Sequence, residues 1–262
     1  MKRSNSFFRG AVLTAGVAAL GIAIAPLTAN AIPQEEFNKA MDNYLKSNDG
    51  AKALGSTIEN YFKNRQAEAR KEREMAAQKE MEEQFSNPKD IPVGTSPVKG
   101  PKDATVTIIE FSDFECPYCS RANETMEQVM KEYKGKVRVA FKNLPLPFHK
   151  NAKPAAAAAL AAGEQGKFWE MHDKLFENQR ELSDDFFKKT AEELGLDVKK
   201  FLADMTSEKV NKQIEEDMKL ARENGISGTP GFFVNGVAVK GAQPFPVFKD
   251  VIDRWLNKGG KA

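Results

Sequence analysis

The chain has 262 residues, with 39 Lys and Arg against 37 Asp and Glu and two cysteines. That length is enough for one sizeable domain and an appendage. A formal net charge of +2 gives no electrostatic reason to expect a nucleic acid as partner, and two cysteines are too few for a disulfide framework.

Residues 1–31 have the features of a secretory signal peptide. The start is positive, residues 11–25 are uncharged and apolar, and a small-x-small cleavage site ends at Ala31. The apolar run is shorter than the roughly 18–20 residues that span a bilayer, which disfavours the alternative of an uncleaved membrane anchor. Three of the 39 basic residues lie in this segment, so cleavage leaves 36 against 37 acidic ones. We therefore expect an exported, nearly neutral protein.

A helical extension is predicted for residues 32–85. Its first part carries a narrow apolar stripe at helical spacing, interrupted by a helix-stop signal at Asn48-Asp49-Gly50, and its second part is mostly charged. Such a segment cannot bury enough apolar surface alone, so it packs on the main domain, remains unattached or pairs with the same stripe of another subunit. We favour pairing, which predicts a homodimer through the N-terminal helices. The stripe consists of Phe37, Met41, Leu45, Leu54, Ile58 and Tyr61.

Residues 86–101 contain four prolines and are predicted to form a linker. Residues 102–262 have the pattern of a compact α/β domain with a helical insertion at about 148–224. The elements expected around that insertion are a strand at 104–111, a helix from 117, a strand at 137–141, two strands at 232–234 and 237–239 joined by a hairpin signal, and a helix at 245–256.

Both cysteines lie in one short motif, Cys116-Pro117-Tyr118-Cys119. On a helix this spacing places the two side chains on the same face and within disulfide distance. A ring of four residues removes little entropy from the unfolded chain, so the pair is a poor crosslink and favours redox chemistry over an inert local disulfide. Pro117 suits the first helical position, which puts Cys116 at a helix N-terminus, where backbone N–H groups favour a thiolate.

Residues 111–119 (FSDFECPYC) and residues 228–236 (GTPGFFVNG) together resemble the DsbA-type thiol:disulfide oxidoreductases. The resemblance covers roughly residues 102–262 and implies an α/β, thioredoxin-like fold with an inserted α-helical domain, preceded here by an α-helical N-terminal extension. That extension departs from the monomeric oxidases of the family. It is similar in kind to the oligomerisation regions of periplasmic disulfide isomerases.

The resemblance also implies roles for individual residues. Thr229-Pro230 would be a cis bond in a loop that faces Cys116, and the Thr229 backbone would pair with an extended client strand. The candidates for client binding are Thr229, Pro117, Tyr118 and Phe114, with Phe232 and Phe245 as further rim residues that core packing also explains.

Glu110 lies on an apolar strand six residues before the motif. The resemblance places a buried acid there, able to assist proton transfer at Cys119, and a solvated edge position is the alternative. Lys142, at the end of the second strand, is a candidate charge partner of Glu110. Asp113 is expected to order the loop before the helix.

A metal site competes with the redox interpretation. Cys116, Cys119, His149 and His172 could form a zinc set, but the two histidines lack the short spacing of such sites. Cu(I) binding by the reduced dithiol is a further alternative. A capping or packing role is expected for His149 and a surface or core position for His172. We expect no resident metal and no cofactor other than the Cys116–Cys119 disulfide.

The sequence thus predicts a periplasmic thiol:disulfide exchange enzyme, a disulfide isomerase and/or oxidase. Cys116 would react with the client and Cys119 would resolve the intermediate. The partners would be unfolded or misoxidised secreted proteins and a membrane redox protein that reoxidises or reduces the pair. A copper-handling or holdase protein that uses the dithiol as ligand is the alternative from another class.

Overall fold

The computed structural model describes residues 33–259, which divide into two compact units with the boundary between Arg70 and Lys71. The predicted signal peptide lies outside the described residues. Within residues 33–259, no helix is both long and apolar enough to cross a membrane.

The first unit is helical. Helix α1 spans Gln34–Lys46, and helix α2 spans Asn48–Ser86 and so continues into the second unit. The break between them lies at Ser47, one residue before the predicted stop signal. Ser47 Oγ accepts a hydrogen bond from the Gly50 N–H at 3.0 Å and its carbonyl accepts one from Ala51, so Ser47 caps the new helix and Asn48-Asp49-Gly50 forms its first turn.

The predicted apolar stripe is exposed in the first unit. Helix α1 has no buried residue, and in the first unit the large apolar side chains of both helices are each more than a third exposed. These side chains are Phe37, Met41, Tyr44, Leu45, Leu54, Ile58, Tyr61 and Phe62.

The second unit is built on a five-stranded sheet with the order β1-β3-β2-β4-β5. Strand β2 pairs with β3 in parallel, and the other three pairings are antiparallel. Asn235 and Gly236 both have positive φ in the turn between β4 and β5, as the hairpin signal predicts. The strands are β1 (Val98–Lys99), β2 (Val106–Ser112), β3 (Val137–Asn143), β4 (Gly231–Val234) and β5 (Val237–Lys240).

Helices cover both faces of this sheet. Helix α3 (Pro117–Glu132) connects β2 to β3 and packs with the last helix, α9 (Phe245–Asn257), against one face. Five helices lie between β3 and β4, which confirms the helical insertion. They are α4 (Ala152–Gly163), α5 (Phe168–Glu177), α6 (Asp184–Glu193), α7 (Val198–Met205) and α8 (Glu208–Glu223).

The insertion has its own core around α4, whose buried side chains are eight alanines and Leu160. Small side chains allow the neighbouring helices to approach α4 closely. Phe114, Phe141 and both cysteines belong to this same cluster. The cysteine motif therefore lies where the sheet meets the insertion.

The segment predicted as a linker is part of the sheet unit. Val98 and Lys99 form an edge strand on β3, Ile91 is buried, and the Lys89 N–H donates to the Gly236 carbonyl at 3.1 Å. The end of α2 is likewise docked, because Phe85 is buried against Trp255 with the ring centroids 5.3 Å apart. The predicted boundaries at 85 and 101 therefore separate residues that pack together.

Candidate active site

Cys116 is the residue that immediately precedes α3. Its backbone is extended (φ −76°, ψ 121°), and its carbonyl accepts hydrogen bonds from the Cys119 and Ser120 N–H groups. Pro117 occupies the first helical position, where a missing N–H costs nothing. The helix begins where the sequence predicts, with the Cys116 sulfur at its N-terminus.

The two thiols have opposite environments. A hydrogen bond from the Cys119 thiol is the main cause that lowers the pKa of Cys116 to about 5, and the backbone N–H groups of Tyr118 and Cys119 lower it further. Cys119 is fully buried, and burial first, then its hydrogen bond to Cys116, raises the pKa of Cys119 far above the ordinary value. At neutral pH the site therefore holds one thiolate and one thiol.

Thr229-Pro230 is a cis peptide bond, as the resemblance implies. The Cys116 thiol lies 3.6 Å from the Thr229 carbonyl oxygen, which can accept its proton in a hydrogen bond. The Thr229 hydroxyl is buried and has no hydrogen-bond partner among the described residues. Once Cys116 ionises, this hydroxyl can donate to the thiolate, and its proximity is a further cause of the lowered pKa of Cys116.

Asp113 orders the loop between β2 and α3. Its Oδ1 accepts a hydrogen bond from Glu115 N–H, and its Oδ2 accepts from Leu146 N–H and lies 2.8 Å from His149 Nδ1. The Asp113 N–H points at the Cys119 sulfur from 3.4 Å. The expected ordering role of Asp113 is confirmed, and His149 is its partner.

Glu110 is buried, and burial raises the pKa of its carboxyl to about 7, although the Ser112 hydroxyl nearby opposes the shift. Oxygen Oε1 of Glu110 has no hydrogen-bond partner among the described residues. Ser112, two residues along the same face of β2, also lacks a well-formed hydrogen bond, yet its hydroxyl lies close enough to lower the pKa of both Glu110 and Cys119. The Ser112 hydroxyl is therefore close to both the acid and the buried thiol, without a hydrogen bond to either among the described residues.

Lys142 is not the charge partner of Glu110. Lys142 is in register with Phe111 on the neighbouring strand, so its side chain points to the face opposite that of Glu110. Its ammonium instead lies 3.2 Å from Asp217 on α8 and donates to Ser96 Oγ at 2.9 Å. The prediction is wrong because Glu110 is in register with Phe141, one residue before Lys142, and successive residues of a strand point to opposite faces.

The predicted client-binding residues separate into two groups. Pro117 and Tyr118 are exposed, with Tyr118 at 55%, and the Arg121 guanidinium lies 4.7 Å from the Tyr118 ring. Phe114 is wrong as a rim residue, because it is 1% exposed and stacks on Phe141 at 5.1 Å. Of the weaker candidates, Phe232 is fully buried and Phe245 packs on the same sheet core.

Gln179 is a site residue that the sequence did not indicate. It follows α5, and its Nε2 donates to the carbonyls of Phe114 and Cys116 at 2.7 and 3.0 Å. The insertion thereby holds the cysteine loop by its backbone. No local pattern identifies such a residue, since its partners lie more than sixty positions away.

The two histidines have carboxylate partners rather than the thiols. His149 pairs with Asp113, whereas His172 is buried among aromatic rings and pairs with Asp173 at 2.8 Å. Among the residues that the structure describes, no group of three or more His, Cys, Asp and Glu side chains is arranged to hold a metal ion.

This arrangement of sheet, helical insertion, cysteine pair and facing cis proline defines a class, the DsbA-like thioredoxin fold. A family model described as Thioredoxin matches residues 92–254, more than half of the chain. The protein therefore belongs to the thioredoxin family, in its DsbA-like form.

Solved structures agree with this assignment. A thioredoxin-like oxidoreductase from Silicibacter pomeroyi DSS-3 is 32% identical, with a TM-score of 0.58 over 63% of this chain and 94% of that one. BdbD from Bacillus subtilis is 25% identical, with a TM-score of 0.60 over 65% and 97%. The catalytic domain of Proteus mirabilis ScsC is 22% identical, with a TM-score of 0.55 over 68% and 98%, and shows the fold alone.

Curated relatives include much longer proteins. Over 140 residues the chain is 43% identical to Na(+)/H(+) antiporter NhaA 3 of Salinispora tropica, a match that covers 53% of this chain and 21% of that protein. The match to Na(+)/H(+) antiporter NhaA 1 of Salinispora arenicola has the same coverage at 42% identity. The chain thus spans about a fifth of the length of these relatives.

Proposed function

We propose that this protein is an exported enzyme that exchanges disulfides with secreted proteins in the periplasm, acting as both isomerase and oxidase. The observation that carries the proposal is the asymmetry of the two thiols, one with its pKa lowered to about 5 and the other fully buried with its pKa raised. A structural crosslink needs no such difference, whereas thiol exchange needs one reactive and one resolving sulfur.

In oxidation, the Cys116–Cys119 disulfide is the oxidant. A client thiolate attacks Cys116 Sγ, the sulfur–sulfur bond breaks, and Cys119 leaves as a thiolate that takes up a proton. A second client thiolate then attacks the client sulfur of the mixed disulfide and releases Cys116 as a thiolate. The client loses two electrons and the protein gains them. The lowered pKa of Cys116 makes it a good leaving group in this last step.

In isomerisation, the reduced protein is the reactant. The Cys116 thiolate attacks a misplaced client disulfide, and the client thiolate that is released attacks a different client sulfur until Cys116 is displaced again. No net electron transfer occurs. If the client stalls, Cys119 loses its proton, attacks Cys116 Sγ and releases the client reduced.

Client contact would use the surface around the cysteine loop. Exposed Pro117 and Tyr118 border Cys116, and the Thr229 backbone is available beside the sulfur for an extended strand. A membrane redox protein would reset the pair. The exposed apolar stripe of the first unit supports self-association of two chains, because a monomer would leave these side chains in water.

The direct test is refolding of scrambled ribonuclease together with reduction of insulin by dithiothreitol. We expect the wild-type protein to accelerate both reactions. Cys116→Ser should abolish both, because it removes the reactive sulfur. Cys119→Ser is the matched control, and it should keep client attack, accumulate mixed disulfides and lose oxidation of a dithiol peptide. Tight Cu(I) binding by a protein that accelerates neither reaction would contradict the proposal.

A further inference from the structure

A narrow crevice reaches Glu110 from the side of α3 and α5. It has room of about 30 Å³, and among its lining residues are Lys99, Glu110, Asn123, Glu127, Trp169 and His172. A water molecule needs about 10–15 Å³ and two to four polar partners. The crevice therefore has the size and the polar groups for one or two water molecules beside a buried carboxyl.

Glu110 is the inner end of this crevice. Its carboxyl is 3% exposed, and Oε1 has no hydrogen-bond partner among the described residues, although it lines a polar space. On the other side, the Ser112 hydroxyl lies close to both the Glu110 carboxyl and the Cys119 thiol. A proton from Cys119 can therefore reach Glu110 through Ser112. From Glu110 it can leave through the crevice, whose wall contains the His172 imidazole.

His172 is the titratable imidazole in the crevice wall. It is 2% exposed, and its Nδ1 lies 2.8 Å from the Asp173 carboxylate, which favours the tautomer with the proton on Nδ1 and an acceptor lone pair on Nε2. Nε2 makes no hydrogen bond to a described residue. Asp173 is 40% exposed, so the imidazole links the crevice to a carboxylate in water.

The other charged groups around His172 are few and come from separate elements. Lys99 on β1 lies 3.9 Å from Asp173 and 5.3 Å from the Trp169 ring, and Glu127 on α3 is exposed at the crevice. Burial and Lys99 lower the pKa of His172, whereas Asp173 opposes this shift. Because a lowered pKa favours the neutral ring, the Nε2 lone pair is available to accept a proton from the crevice and to give it up again.

We propose that His172 is the residue through which Glu110 exchanges protons with solvent while Cys119 resolves a mixed disulfide. The proton leaves the Cys119 sulfur, passes through the Ser112 hydroxyl to the Glu110 carboxylate, and then moves through crevice water to His172 Nε2. The imidazolium releases its Nδ1 proton to solvent on its Asp173 side, which leaves a neutral ring protonated on Nε2, and the ring returns to the Nδ1 tautomer before the next turnover. This role rests on the proposed exchange activity, and His172 acts as a positioning residue that touches no client.

A two-phase reaction with excess oxidised glutathione tests this path. In the first phase the Cys116 thiolate attacks glutathione disulfide, and in the second Cys119 loses its proton and displaces the bound glutathione. In dilute buffer we expect His172→Gln and His172→Phe to slow the second phase by at least about tenfold. Glu110→Gln should slow it more, by the roughly 10²-fold typical of removing an acid–base group. The first phase should stay within about twofold of wild type.

Chemical rescue separates proton transfer from structural damage. Added imidazole should restore the second phase of the His172 variants and flatten its pH profile, but should not restore Glu110→Gln. Trp169→Phe, which disturbs the same aromatic wall without removing a proton carrier, is the control and should match wild type. His172→Gln decides the matter if His172→Phe does not fold. A second phase with wild-type rate and pH profile in the His172 variants overturns this inference, whereas absence of both phases in wild type overturns the proposed function instead.

Discussion

At the scale of single residues, the pKa of Cys116 depends most on the thiol of Cys119. We predict that alkylation of Cys116 by iodoacetamide, followed by mass spectrometry against pH, has its midpoint near pH 5 in the wild type. Cys119→Ala should raise that midpoint more than Thr229→Val does, because the Cys119 hydrogen bond is the larger cause. A midpoint near the value of free cysteine, about 8.5, in the wild type would contradict the thiolate assignment.

The raised pKa of Glu110 leads to a separate prediction about the pH dependence of stability. Its carboxyl ionises near pH 7 when folded but near the ordinary value of 4.5 when unfolded, so between these values the folded state binds the extra proton. The stability contribution of Glu110 therefore falls as the pH rises through this window and stays low above it. Glu110→Gln should be more stable than wild type by about 3 kcal/mol above pH 7 and by little below pH 4.5.

Urea unfolding of both proteins from pH 4 to 9 measures this difference. Glu127→Gln is the matched control, because Glu127 is an exposed glutamate of the same crevice and its replacement should leave the curve unchanged. A gap between Glu110→Gln and wild type that does not change with pH would show that Glu110 is not the titrating group.

Much of the site could be predicted from sequence because its determinants are local. The position of Cys116 before a helix follows from Pro117, and an acid among Ile108, Ile109 and Phe111 is expected to be buried. The partner of Lys142 and the role of Gln179 could not be predicted. Both depend on contacts between distant segments, and the first also depends on strand register.

At the scale of elements, the Lys142–Asp217 pair connects β3 to α8. Both side chains are 5% exposed, and Asp217 Oδ2 also accepts the Asn143 N–H at 2.9 Å. Burial raises the pKa of Asp217 even with Lys142 beside it. We predict that Asp217→Asn destabilises the protein by about 3–5 kcal/mol, since it leaves a buried ammonium without its counter-charge.

Denaturant unfolding of single and double variants checks this value. The double variant Lys142→Met with Asp217→Leu should recover most of the loss, because an apolar pair of similar volume avoids the cost of burying charge. Equal losses in the double variant and in Asp217→Asn would mean that packing, and not charge, determines the effect.

The charged composition of residues 63–83 is the reason why the boundary of the extension is predicted at residue 85. Residues 63–83 are polar enough to predict a solvated helix, yet in the following turn Phe85 fills a site on Trp255, and Gln84 Oε1 accepts the Ala238 N–H at 2.6 Å. Two side chains, Gln84 and Phe85, are too few to produce a hydrophobic periodicity that would reveal from the sequence that this turn packs on the sheet unit. Strands β2 to β5 and the hairpin, in contrast, have signals within a few residues and are predicted nearly to their ends, whereas the two-residue strand β1 lies in the predicted linker.

At the scale of the whole molecule, the two units suggest where to divide the chain. We predict that a protein lacking residues 32–70 is a folded monomer that keeps dithiol oxidation but loses part of its isomerase activity. A protein lacking residues 32–86 should unfold at lower temperature, because it also loses Phe85 and the ion pair of Glu82 with Arg254. Light scattering gives the mass and a thermal scan gives the stability. An unchanged mass after removal of 32–70 would refute self-association through this segment.

The alanine-rich helix α4 has a consequence for how this protein tolerates variation. Its sequence, AKPAAAAALAAG, is the plainest stretch of the chain and would be taken for a permissive spacer. Because eight of those alanines are buried, almost every replacement adds volume where none is free, at about 1–3 kcal/mol each. In a saturation library, the most monotonous segment should therefore be among the least mutable.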